Sequence, residues 1–100
     1  MEQKFMKEAL IEAKKAYDKQ EIPVGAVIVK NGKIISRAHN LKETKQTATA
    51  HAEILAIQKA NKKLNNWRLV DCDIYVTLEP CDMCMGAILS SRIKNIYIGT

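Results

Sequence analysis

The sequence is poor in the residues that break, staple or anchor a chain. Two prolines and four glycines in 100 residues leave no linker and no low-complexity stretch, so one continuous domain over residues 1–100 is expected. No run approaches the roughly 18 consecutive apolar residues of a membrane-spanning helix. Glu2, Lys4, Lys7 and Glu8 interrupt the first apolar residues, which excludes a signal-peptide apolar region and points to the cytoplasm. Three cysteines are an odd number, which argues against a disulfide framework. Two of them form Cys81-x-x-Cys84, a spacing that in a reducing compartment suggests a metal or redox role. What is abundant is globular in character: 47% hydrophobic and 27% charged residues exclude a disordered chain. Sixteen Lys and Arg against eleven Asp and Glu leave a net charge of +5. That balance permits a polyanionic partner and equally suits ordinary surface lysines.

The hydrophobic periodicity changes along the chain. Met6, Ala9, Leu10, Ala13, Ala16 and Tyr17 recur at helical spacing and predict an amphipathic helix over Gln3–Lys19 with that face buried. Val24–Lys30 and Lys33–His39 are β-rich and flank Asn31-Gly32, the strongest short-range hairpin signal because both turn residues must accept a positive φ. Asn40–Thr49 is polar and predicts a loop, and Ala50–Leu64 a helix whose Leu55, Ile57, Ala60 and Leu64 are available for burial. Asp73–Thr77 reads as a third strand, Cys81–Ser90 as a third helix and Asn95–Gly99 as a fourth strand. The order predicts an α/β fold, a mixed sheet with helices on both faces. It contains an antiparallel hairpin and a right-handed parallel strand–helix–strand unit.

The chemistry concentrates in His51-Ala52-Glu53 and, 28 positions after Glu53, Cys81-Asp82-Met83-Cys84 preceded by Pro80. Cysteines three apart on a first helical turn share a face and can grip one ion. The positive end of that helix favours thiolates, the form that binds zinc. His51 also falls at a helix start. One imidazole and two thiolates leave the fourth tetrahedral position open, as catalytic zinc requires. Glu53 is about 200° around an ideal helix from His51, so it is expected beside that open position and not as a ligand. There it would carry protons for a zinc-activated water.

Each half-motif alone has a blander meaning. A His-x-Glu is common at helix starts, and a Cys-x-x-Cys between strand and helix also suits a thioredoxin-like redox site. The redox reading is weakened by Asp82-Met83 between the cysteines and by the lack of a later proline, since only Pro23 and Pro80 are present. A structural zinc knuckle would need a second close ligand pair, whereas His51 stands alone. Cys72 is expected to be a small buried hydrophobe at a strand start, and Met83 and Met85 to be core.

At these residues the chain resembles the zinc-dependent nucleobase deaminases, whose pattern is His-x-Glu with Pro-Cys-x-x-Cys. Within them it is similar to the tRNA-acting adenosine deaminases. That likeness is carried by Glu21-Ile-Pro-Val-Gly-Ala26, Ala38-His-Asn40, Thr49–Glu53, Asn66-Trp-Arg-Leu69, Tyr75–Cys81, Gly86-Ala-Ile88 and Ser91-Arg-Ile93. The resemblance implies a three-layer α/β/α sandwich of the cytidine deaminase type. It implies one Zn2+ per chain on His51, Cys81 and Cys84, with Glu53 as proton shuttle. Asn40 would hydrogen-bond a flipped base, Val24 would pack on it, and Ala52 would line its pocket. The implied reaction is hydrolysis of adenosine to inosine at the wobble position of a tRNA anticodon loop, by a homodimer. Single-stranded DNA or RNA adenosine is a related substrate. Guanine or cytosine free-base deaminases share much of the pattern, and a zinc-stabilised RNA-binding fragment using Lys59, Lys62, Lys63, Arg68, Arg92 and Lys94 is the reading from another class. Two departures are expected to matter: Ala48 stands where proline is common, and the chain stops at Thr100, short of the family's C-terminal part.

Overall fold

The computed structural model describes residues 2–99. Helix α1 (Gln3–Asp18) leads into the hairpin strands β1 (Gly25–Lys30) and β2 (Lys33–His39). A single helical turn, α2 (Lys42–Lys45), precedes α3 (Ala52–Leu64), β3 (Cys72–Val76), α4 (Asp82–Ser90) and β4 (Asn95–Ile98). The four strands form one sheet in the order β2-β1-β3-β4. β1 pairs antiparallel with both β2 and β3, while β3 and β4 are parallel across the α4 crossover. Asn31 and Gly32 take φ of 53° and 74°, the doubly positive turn that matches strand twist. The expected mixed sheet, hairpin and parallel unit are all present.

Alternation along the central strands divides the interior into two layers. Ala26 and Ile28 of β1, with Ile74 and Val76 of β3, face Ala52, Ala56, Ala60 and Ile88 of α3 and α4. Val27, Val29 and Tyr75 face Phe5 and Ala9 of α1. Helices on both faces leave β1 buried almost throughout, which is why it reads as a continuous apolar run instead of an alternating one.

Several boundaries and faces differ from expectation. Leu10 and Tyr17 are 54% and 65% exposed, whereas Phe5 and Glu12 join Ala9, Ala13 and Ala16 on the buried face. Gly25 lets that face approach β1 closely: a Cβ there would collide with the Ala9 carbonyl and the Ala13 nitrogen. Small residues therefore define the contact face, and an ion-paired Glu12 completes it. The polar 40–49 stretch is not all loop. α2 forms within it, and it is closed by backbone bonds from Leu41 N–H to Ala50 O (3.0 Å) and Ala50 N–H to Thr47 O (3.1 Å). α3 begins at Ala52, two residues later than predicted. Met83 is 38% exposed because Cys84 and Ile88, four apart, define the inward face of α4. Cys72 is fully buried at the start of β3, as expected.

Candidate metal centre

Two helices deliver the chemistry from their N-terminal ends. His51 is the N-cap of α3, with extended φ and ψ of −78° and 152°; Cys81 is the N-cap of α4, at −73° and 174°. Neither side chain caps its own helix; they turn toward one another instead. Cys84, in the first turn of α4, completes the group. His51 Nδ1 lies 3.5 Å from Cys84 Sγ and 3.8 Å from Cys81 Sγ, and the three donor atoms all fall within 4.8 Å of one another.

These separations fit a metal. Tetrahedral zinc, with Zn–N near 2.0 Å and Zn–S near 2.3 Å, places its N and S ligands roughly 3.6 Å apart. The donor set fits as well: one imidazole nitrogen and two sulfurs, with His51 half-buried, Cys81 exposed and Cys84 buried. Burial pushes the Cys84 thiol well above its ordinary value, and the Glu53 carboxylate and Cys81 push it further. Such a thiol ionises only when a strong positive charge sits beside it, which a bound dication supplies.

Glu53 follows in the first turn of α3 and is buried, 4% exposed. Because His51 lies outside the helix, the 200° rotation expected between them does not apply. Glu53 is absent from the ligand group but lines the same cavity as His51 and Cys81. This cavity has a volume of about 210 Å³, below the roughly 300–1,000 Å³ of pockets for drug-sized ligands and suited to one heterocycle.

Ile22, Val24, Asn40 and Lys42 line the cavity from two neighbouring segments, joined by a backbone bond from Asn40 N–H to the Val24 carbonyl (3.1 Å), and Ala52, Glu53, Leu78 and Glu79 complete the lining. Val24, just before β1, packs against the core on its other side. Asn40, 6% exposed, is held loosely: its Nδ2 reaches the Ile22 carbonyl at 3.5 Å and its Oδ1 accepts from Lys42 N–H at 3.4 Å. Both are at the limit of useful hydrogen bonding, so the amide retains capacity for a ligand. Ile22, Lys42, Leu78 and Glu79 are not among the site residues expected from sequence, although each lies within three residues of one that is. Proximity to Val24, Asn40 and Cys81 is the signal that would have found them. Among the described residues no helix is long and apolar enough to cross a membrane.

The profile describing the cytidine and deoxycytidylate deaminase zinc-binding region matches residues 1–100. The chain is 57% identical over 95 residues to a tRNA-specific adenosine deaminase of Bacillus subtilis, covering 95% of this chain and 59% of that protein. A solved structure from studies of A-to-I editing by tRNA:A34 deaminases superposes with a TM-score of 0.94 at 45% identity, over 96% of this chain and 74% of that one. A guanine deaminase from Bacillus subtilis also superposes at 0.94, with 41% identity, over 98% of this chain and 63% of that one. The chain thus spans about three-fifths of the length of the curated bacterial relatives it matches.

Proposed function

The chain belongs to the cytidine and deoxycytidylate deaminase zinc-binding family, and from that premise we propose that it is the catalytic domain of a hydrolase converting adenosine to inosine in a tRNA anticodon. The observation that carries this is the convergence of His51, Cys81 and Cys84 at metal-binding distances on a cavity that also contains the carboxylate of Glu53. His51 Nδ1, Cys81 Sγ and Cys84 Sγ would hold one zinc ion. When bound, zinc supplies Lewis acidity that brings the pKa of a water down to about 7.

The protein's own groups do the rest. Glu53 accepts a proton from the attacking water and delivers it to N1 of adenine, so the ring takes up hydroxide at C6 without building negative charge. It then moves the remaining hydroxyl proton to the departing amine, and adenine plus water become hypoxanthine plus ammonia. Its burial keeps competing water from that proton path. Asn40 meets the polar edge of the base with its amide, and Val24 packs on the ring face. Ala52, the first residue of α3, offers a backbone N–H with no intrahelical acceptor and, fully buried, leaves room for the base. The +5 charge and the exposed Lys62, Lys63, Arg68, Arg92 and Lys94 favour an RNA phosphate backbone as partner. A homodimer working in the cytoplasm is part of the same reading.

Incubating the zinc-loaded chain with an anticodon stem-loop bearing a wobble adenosine, and sequencing for A-to-G readout, tests it. Conversion is expected, and Glu53→Ala should abolish conversion while keeping one zinc per chain. Full activity in that variant would sink the mechanism. The equal superposition on a guanine deaminase favours free guanine as the alternative substrate. Ammonia released from guanine but not from the stem-loop would establish it. Salt-sensitive binding of the stem-loop without conversion of either would leave an RNA-binding fragment.

A further inference from the structure

Glu21 lies in the turn after α1, where Gln20 reverses the chain with a left-handed φ of 62°. It is buried, 5% exposed, and its carboxylate is satisfied by a segment more than twenty residues away. Oε1 accepts from Glu43 N–H at 3.1 Å, and Oε2 from Thr44 N–H at 2.6 Å and the Thr44 hydroxyl at 2.7 Å. These amides belong to the first turn of α2, where no helical carbonyl can satisfy them. Leu41, at the N-cap position, has no side-chain oxygen to do so and makes no capping bond. Glu21 therefore caps α2 from a distance, in the way a local Ser or Asp ordinarily would.

The cap joins two neighbouring segments that line the metal cavity. Ile22 and Val24 follow Glu21, and Asn40 and Lys42 precede the capped amides; all four line the cavity. The Asn40 amide spans them, Nδ2 on the Ile22 carbonyl and Oδ1 on the Lys42 N–H, through bonds of 3.5 and 3.4 Å. A backbone bond from Asn40 N–H to the Val24 carbonyl (3.1 Å), beside the Gly25–His39 pair of the hairpin, fixes the spacing at Val24 and Asn40, but side-chain bonds as long as those of the Asn40 amide cannot fix where Lys42 and the rest of α2 sit. Apolar packing cannot either, because α2 buries none of its residues. The shorter, charge-assisted bonds to Glu21 tie α2 to the segment that carries Ile22 and Val24.

We propose that Glu21 is a positioning residue for base recognition: by capping α2 it sets where the Lys42 N–H meets Asn40 Oδ1 and so the orientation of the Asn40 amide, an inference that rests on the deaminase reading above. A glutamine at this position would turn an N–H donor against an amide donor and weaken the cap. It would leave the metal ligands and Glu53 untouched.

The test uses the full zinc-loaded chain, an anticodon stem-loop substrate and the Asn40 side-chain amide resonances in 15N–1H spectra. Glu21→Gln should raise KM five- to tenfold, hold kcat within twofold, keep one zinc per chain and shift the Asn40 resonances. Thr44→Val, which removes only the hydroxyl, should raise KM two- to threefold, and Thr44→Ser should restore the wild-type value. An unchanged KM in Glu21→Gln, a loss confined to kcat, or loss of zinc would overturn the proposal. Should Glu21→Gln fail to fold, Thr44→Val decides, and an unchanged KM there overturns it. If the wild-type chain converts no substrate, the deaminase reading fails. The Asn40 resonances still report on Glu21 in that case, and unmoved signals count against the cap.

Discussion

At the scale of single residues, the pairing of buried Cys84 with half-buried His51 and exposed Cys81 decides what the pocket can hold. Burial and the neighbouring Glu53 carboxylate keep the Cys84 thiol protonated in the absence of a cation, so zinc binding must release that proton. Cys84→Ser replaces a soft ligand by a hydroxyl that does not ionise there. Zinc affinity should fall by more than about a hundredfold, beyond the range seen on losing groups that only support a ligand, as checked by competition with a chelating dye. Asn40→Ala should act differently. It removes a polar group from the cavity lining that the proposed reaction uses to hold the base, so KM for the stem-loop should rise by tenfold or more with zinc content unchanged, measured by steady-state kinetics and metal analysis. Gly25 is the residue whose importance is backbone contact alone. Gly25→Ala forces a methyl into the Ala9 carbonyl. It should lower stability by about 1–3 kcal/mol, the usual cost of overpacking, seen as a lower urea midpoint with an unchanged slope.

At the scale of elements, α1 is held to the sheet by both a small-residue face and an ion network. Buried Glu12 accepts from Lys15 at 2.9 Å and meets His39 Nδ1 at 2.8 Å, with Arg37 at 3.5 Å. Arg37 also pairs with Glu8, and Lys19 Nζ lies 3.0 Å from His39 Nε2. Burial raises the Glu12 carboxyl, but the bonds and charges of Lys15 and His39 outweigh it and hold the pKa below its ordinary value. A carboxyl lowered in the folded state contributes stability above its unfolded value of about 4.3 and loses that contribution as pH falls through the folded pKa. Urea midpoints should therefore drop between about pH 5 and 3, and the drop should be smaller in Glu12→Gln. An equal drop in that variant would assign the acid sensitivity elsewhere. The same network explains why helical periodicity misplaced the buried face of α1. Leu10 and Tyr17 match the apolar pattern, but partners supplied by β2 make a charged residue the better occupant of the interior. The turn α2 escaped prediction for a related reason, since its cap comes from Glu21 and not from its own flank.

At the scale of the whole molecule, the two halves of the metal group come from different layers of sequence, joined only when α3 and α4 pack on the same face of the sheet. Zinc binding should therefore stabilise the packed form and not the unfolded chain. At a free zinc concentration a thousandfold above Kd the gain is about 4 kcal/mol, so a chelator should lower Tm by roughly 15–30 °C, read by calorimetry. The proposed RNA-binding face belongs to this scale too. Arg68 and Arg92, whose guanidiniums lie 4.3 and 5.6 Å from the Trp67 ring, come from separate loops. If both contact phosphate, each alanine variant should reduce the slope of log affinity against log salt by about one.

The metal group, the hairpin and the parallel strand–helix–strand unit were legible in the sequence because they depend on local chemistry: spacing fixes which side chains share a helix start, and Asn31-Gly32 admits little but a hairpin. Cys72 as a buried hydrophobe follows from the same kind of local context. Other features required the folded chain. Whether His51 Nδ1 reaches both sulfurs, whether Glu53 faces the same cavity, why Glu12 is inside and Leu10 outside, and what caps α2 all depend on contacts between residues distant in sequence. Periodicity carries no record of such partners, and only the packing of helices on the sheet brings them within hydrogen-bonding range.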